Sequence, residues 1–184
     1  MGGLASSAQL RADFLRRALF TVPIVVGLGI ASGALSGSGY DNGWFAVLRK
    51  PAIVPPGWAF GVAWTILYTM LGLALALVLQ ARGARLRPAA VAAFAVALLL
   101  NLGWSPLFFA AHRIHAALWL IAAMFAAAVV TALLFARIRA LAGLLLLPYL
   151  GWLLFAGLLN LQIDRMNPPG QTLAPGRPNT QISI

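Results

Sequence analysis

The chain has 184 residues, of which 62% are hydrophobic and only 9% charged, and it contains no cysteine. Soluble domains average roughly a quarter charged residues, so this composition excludes an ordinary soluble fold, while the missing cysteines exclude disulfides, thiolate catalysis and thiolate metal sites. Thirteen Lys and Arg against three acidic residues give a net charge of +10, but the cations lie scattered between apolar runs, which fits headgroup anchors and argues against a nucleic-acid partner.

Five apolar stretches approach the ~20 residues a helix needs to cross a bilayer: Ala18–Leu35, Trp58–Gln80, Pro88–Ala110, His115–Ala136 and Ala142–Ile163. The expected fold is therefore all-α, an integral membrane bundle of five transmembrane helices over residues 18–163. A cytoplasmic segment, 1–17, precedes it. The basic start and small residues around the first stretch also describe a signal peptide, and "MGGLAS" fits a short myristoylation pattern; a retained first span is the favoured reading. The breaks "ARGARLRP", "AHRIH" and "RIRAL" are short, so consecutive helices are antiparallel neighbours. Only the connection Gly37–Gly57 is long enough to be structured. The segment 164–184, with four prolines from Asn167 onward, is expected to be a disordered tail.

Arg11, Arg16, Arg17, Arg82, Arg85, Arg87, Arg137 and Arg139 share one side of such a bundle; Arg49, Lys50, Arg113, Arg165 and Arg177 share the other. The bias places the N-terminus in the cytoplasm and the long first connection outside.

At ~100° per residue, Gly61, Trp64, Thr65, Tyr68 and Gly72 gather on one face of the second helix, opposite an aliphatic face that includes Leu67 and Leu71. Phe94, Ala97, Asn101, Trp104, Ser105 and Phe108 share a face of the third, and Tyr149, Trp152, Ala156 and Asn160 a face of the fifth. Aliphatic faces are content in lipid, so these faces should look inward. Asn101 and Asn160 are expected to staple helices together, with ligand contact as the sharper alternative. Pro106 should kink the third helix by removing the bond to Leu102. Ala89, Ala93 and Ala97, like Ala122 and Ala126, recur at a spacing that permits close helix approach within the chain or across a dimer.

Glutamate is absent, and Asp13, Asp41 and Asp164 sit outside or at the ends of the spans, so no ionisable group serves proton-coupled transport. No Ser-His-Asp set or carboxylate pair supports hydrolysis. His112 and His115 read as interfacial histidines rather than metal or haem ligands. No cofactor is expected, and no enzyme activity. The aromatic interior suits a flat, largely apolar ligand held by stacking and shape.

Three blocks carry a resemblance. "KPAIVPPGWAFGVAWTILY" resembles the first-loop and second-helix signature of the translocator protein and tryptophan-rich sensory protein (TspO/MBR) family, also called peripheral-type benzodiazepine receptors. "NLGWSPLFF" is similar to its third-helix motif and "PYLGWLLFAGLLN" to its fifth, covering roughly Tyr40 to Asn160. The resemblance implies a homodimer of five-helix bundles in a bacterial inner or outer membrane, binding porphyrins, lipids or benzodiazepine-site drugs in a cavity under the first loop. It also implies that Arg49, Lys50, Pro51, Pro55, Pro56 and Trp58 form the lid, with the two cations at the cavity mouth. Where the family commonly has an aromatic residue this chain has Ile53. Leu161 replaces the tyrosine of the family's sterol-recognition segment. Some relatives that degrade porphyrin carry a tryptophan at the position of Asn160, with Trp64 matching its companion. Porphyrin photo-oxidation through Trp64 and a scaffold for partner proteins are the alternatives.

Overall fold

The computed structural model describes residues 6–168. Its elements in order are α1 (Ser7–Leu35), α2 (Gly43–Val47), α3 (Gly57–Gln80), α4 (Arg87–Ser105) continued by a π turn (Pro106–Ala110), α5 (Ile114–Ile138), α6 (Ala140–Leu144) and α7 (Leu147–Met166). Five of the resulting spans are long and apolar enough to cross a membrane, the last formed by α6 and α7 together. The chain is a multi-pass, all-α membrane bundle. Large side chains such as Leu19, Leu99, Leu133 and Leu154 point outward, as a lipid-facing surface requires.

The spans match the apolar stretches except at two places. α1 begins well before Ala18 because "SSAQ" forms a capping box: the Ser6 hydroxyl accepts the Gln9 N–H, and the Gln9 side chain accepts the Ser6 N–H. Asp13 then pairs with Arg16 and Arg17 one turn on, keeping the charged residues helical. At ~1.5 Å per residue the helix is about 43 Å long, longer than the ~30 Å hydrocarbon layer, so its charged first turns project from it. The fifth span is not one helix but two, broken at Leu145 and Leu146. Pro148, in the first turn of α7, lacks the N–H that would bond Leu144, so the ladder is interrupted there.

α1 packs along α3, α5 lies against α4, α6 and α7, and α4 also touches α1 and α3. Two glycines make the α1–α3 seam possible. A Cβ on Gly29 would overlap the Tyr68 ring, and one on Gly72 would lie 2.7 Å from the Val22 Cα. The Thr21 hydroxyl donates to the Gly72 carbonyl across this seam, at 2.8 Å.

Pro106 acts as expected, and a partner takes up what it releases. The carbonyl of Leu102, left without its helical donor, accepts the Ser32 hydroxyl of α1 at 2.6 Å. Past it the ladder widens: the Ala111 N–H donates to the Pro106 carbonyl at 2.8 Å, five residues back. Such π turns occur frequently at functional sites.

α3 sorts differently from its sequence face. Trp64, Tyr68 and Gly72 turn inward, but Gly61 and Thr65 are exposed, and Leu67 and Leu71 are buried. α3 packs along α1 and also meets α4 and α6, so its buried arc is rotated toward Leu71.

The candidate ligand site and its lid

The inward faces of α3, α4 and α7 meet as the sequence implies. Asn101 joins all three: the Tyr68 hydroxyl donates to its Oδ1 at 2.6 Å, and its Nδ2 donates to the Tyr149 hydroxyl at 3.0 Å. All three residues are buried, so each bond replaces one that water cannot supply. Around this chain the aromatic rings pack on one another. Trp64 stacks on Tyr68, with centroids 5.2 Å apart, and meets Trp152 edge-on at 6.1 Å. Phe60 and Phe155, which the sequence did not single out, complete the set through Trp152. Ala156 packs beside them.

The space beside Asn101 is small. Behind Asn101 and Tyr149, on the side of α5, a recess lined by Leu71, Phe94, Ala97, Ala128 and Thr131 holds about 10 Å³, roughly one water, whereas ligand pockets span about 300–1,000 Å³. The tryptophan and tyrosine rings occupy one another's faces.

Asn160 departs from the expected staple. It is 2% exposed, and neither atom of its amide has a hydrogen-bond partner among the described residues. The Trp104 Nε1–H is likewise buried without an acceptor. Such groups cost about 1–3 kcal/mol each until something satisfies them.

Trp104 and Phe108 turn toward the lid. They stack at 5.0 Å, and Phe108 meets Trp44 of α2 edge-on at 5.5 Å. With Phe45, Leu48, Ile114, Leu159 and Ile163 they form a second apolar cluster, which Val54 of the lid covers. Asn42 starts α2 by accepting the Phe45 N–H at 2.9 Å.

The lid runs from Leu48 to Pro56. Pro55 and Pro56 set its approach to α3, and the Tyr40 hydroxyl donates to the Pro55 carbonyl at 2.6 Å. Tyr40 is partly desolvated there, which pushes its hydroxyl pKa up. Pro51 turns the strand, the Val54 N–H donating to its carbonyl at 3.1 Å. Trp58 is 72% exposed at the start of α3, outside the packed aromatic faces.

The two lid cations part company. Arg49 is exposed. The Lys50 ammonium folds back to donate to the carbonyls of Ala46 and Leu48, at 3.1 and 3.2 Å, and lies 4.6 Å from the Phe45 ring centroid. It caps α2, so it does not stand at a cavity mouth. Burial pulls its pKa down.

Asn167, which the composition assigned to the disordered tail, is 6% exposed, and its side-chain amide bonds the backbone of Arg49. Asp164 to Met166 belong to α7. Residues 169–184 lie outside the described residues. An asparagine directly after a helix was the available signal, masked by the prolines beyond it.

His112 stacks on Trp44 at 4.4 Å, with a left-handed φ of 56°. Trp119 Nε1 can only donate, so at 3.2 Å it makes His115 Nε2 an acceptor. The ring proton then sits on Nδ1 and faces Asp164 at 3.0 Å. Both histidines are ring partners of a tryptophan. Among the described residues no three His or acidic side chains gather as metal ligands.

These features agree with the comparisons. A model of the TspO/MBR family matches residues 20–166. The tryptophan-rich protein TspO of Chlorobaculum tepidum is 38% identical over 159 residues, covering 84% of this chain and 100% of that protein. A TspO of Archaeoglobus fulgidus is 37% identical, covering 78% of this chain and 92% of its own length. The human translocator protein is 34% identical, covering 80% and 88%. With more than half of α1, the four later spans, the proline-stiffened lid and the aromatic faces inside the matched region, the chain belongs to the TspO/MBR family.

Proposed function

We propose that this protein binds a porphyrin, or another flat and largely apolar molecule such as a lipid or a benzodiazepine-site drug, among Trp64, Tyr68, Asn101, Trp104, Phe108, Tyr149, Trp152, Ala156 and Asn160. The observation that carries the reading is at Asn160 and Trp104, buried polar atoms without a partner among the described residues, in a bundle whose α3 and α7 rings stack on one another and offer faces to a planar guest. Folding has paid their desolvation, so a ligand group that pairs with them gains the bond without that cost. Names given to the relatives, translocator and tryptophan-rich protein, fit binding rather than turnover. The test is quenching of tryptophan fluorescence by protoporphyrin in detergent. A saturable signal weakened by Trp64→Ala and Trp152→Ala supports the reading; a linear, unsaturable one rejects it.

The proposed setting is a bacterial cell membrane, inner or outer, with the arginine-rich end of α1 and the α3–α4 connection in the cytoplasm and the lid outside. The proposed assembly is a homodimer. Ala97 is buried within the bundle, whereas Ala122 and Ala126 are exposed on α5 and leave a close-approach surface free for a second copy. Ala126→Leu should then shift the crosslinked population toward monomer.

A further inference from the structure

The asparagine at the end of α7 holds the beginning of the lid. Its Nδ2 donates to the carbonyls of Arg49 and Ile163, at 2.9 and 2.8 Å, and its Oδ1 accepts the Arg49 N–H at 2.9 Å. The amide exchanges both bonds with one residue's backbone, as a paired strand residue does, and anchors itself to its own helix with the remaining hydrogen. Nothing in the local sequence requires this, because Arg49 and Asn167 are 118 residues apart. Between that clasp and the Tyr40–Pro55 bond the lid's backbone makes the Val54–Pro51 turn, and Ala52 and Ile53 are exposed.

We propose that Asn167 is the latch of the lid, a positioning residue whose release frees the segment from Arg49 to Ile53, between the buried Leu48 and the Val54 contact, to lift off the aromatic site. The inference rests on reading that segment as a ligand lid. The chemistry is specific to a carboxamide. Aspartate at this position would accept the Arg49 N–H, but its second oxygen would face the carbonyls of Arg49 and Ile163 with no hydrogen to give. Protonating that carboxyl would restore a donor.

Hydrogen exchange on the full-length protein in detergent, without ligand, tests the latch. In Asn167→Ala, protection of the Arg49 N–H and the lid amides should fall by roughly tenfold or more, while α4 and α5 stay protected. Asn167→Asp should be equally open near neutral pH and regain protection, after correction for intrinsic rates, when protonated at about pH 4. This recovery separates a latch from general damage and serves also if the alanine variant folds poorly. Equal lid protection in all variants overturns the proposal, as does a loss spread evenly through α5 and α7. Stopped-flow quenching with protoporphyrin then separates latch from site. Supporting results are release and uptake that both accelerate in Asn167→Ala, with little change in affinity. Unchanged release from an opened lid overturns the latch. If the wild type binds no protoporphyrin yet the lid still opens in the variant, the latch stands and the ligand reading falls.

Discussion

The lid end and the mid-membrane aromatic face are built from the same residue types and finished differently. At the lid end Tyr40, Asn42, Lys50 and Asn167 each place a polar side-chain atom on a backbone partner, over a tight cluster around Phe108. In the aromatic face the Tyr68–Asn101–Tyr149 chain is complete, yet Asn160 is buried with no partner among the described residues, as is the indole N–H of Trp104 where that face meets the Phe108 cluster. The lid end gains stability from its geometry. The aromatic face gives some up, and its unpaired groups are where a guest can recover it. A stiff closure over a yielding interior makes opening, rather than fit, the step that decides when a ligand enters.

The strongest way to break that comparison is at the ring that supports the closure. Phe108 is 2% exposed and packs against Trp44, Trp104, Phe45 and Phe109. Phe108→Ala should destabilise the protein by about 3–5 kcal/mol, measured by unfolding in mixed detergent micelles. A loss below about 1 kcal/mol would show that the lid end is no better packed than the site.

Next comes the completed polar chain. Asn101→Leu leaves two buried tyrosine hydroxyls without their amide and should cost about 2–3 kcal/mol. A double-mutant cycle with Tyr68→Phe should give a coupling of roughly 1 kcal/mol; additive losses would mean the 2.6 Å contact contributes little.

The contrast between the two asparagines shows what a sequence can carry. The spans were legible because hydropathy and helix length are local properties, and α3, α4 and α5 fall within a few residues of their apolar stretches. The start of α1 was not, because a four-residue cap, and not hydropathy, decides it. The run of leucines before Pro148 hid the α6–α7 break. Periodicity placed Asn101 and Asn160 on inward faces equally well, but only the packing of three helices brings two tyrosines to one and none to the other. Proline content drew attention to the lid and away from Asn167, whose role depends on a partner in a distant connection.

Asn160 sharpens the comparison from the other side. Asn160→Leu removes an amide that has no partner among the described residues, so the empty protein should become more stable by about 1 kcal/mol, the opposite sign from Asn101→Leu. Affinity should drop for ligands with polar groups and hold for hydrocarbons. Equal destabilisation by the two substitutions would show that Asn160 is satisfied after all, and the site would lose its clearest mark.

The smallest effect expected is at the lid cations, and it tells surface charge from structure. Arg49 is exposed, so its charge acts through solvent, and Arg49→Gln should weaken protoporphyrin, which carries two carboxylates, by about two- to fivefold. The neutral dimethyl ester should bind as before, and added salt should erase the difference. Lys50 works inward, on the carbonyls that end α2, so Lys50→Gln should change both ligands alike and be insensitive to salt. Titrating the acid and the ester against both variants at low and high ionic strength checks this. If Lys50→Gln discriminates between acid and ester while Arg49→Gln does not, the ammonium must leave α2 when ligand arrives, and the lid's rigidity would be its resting state alone.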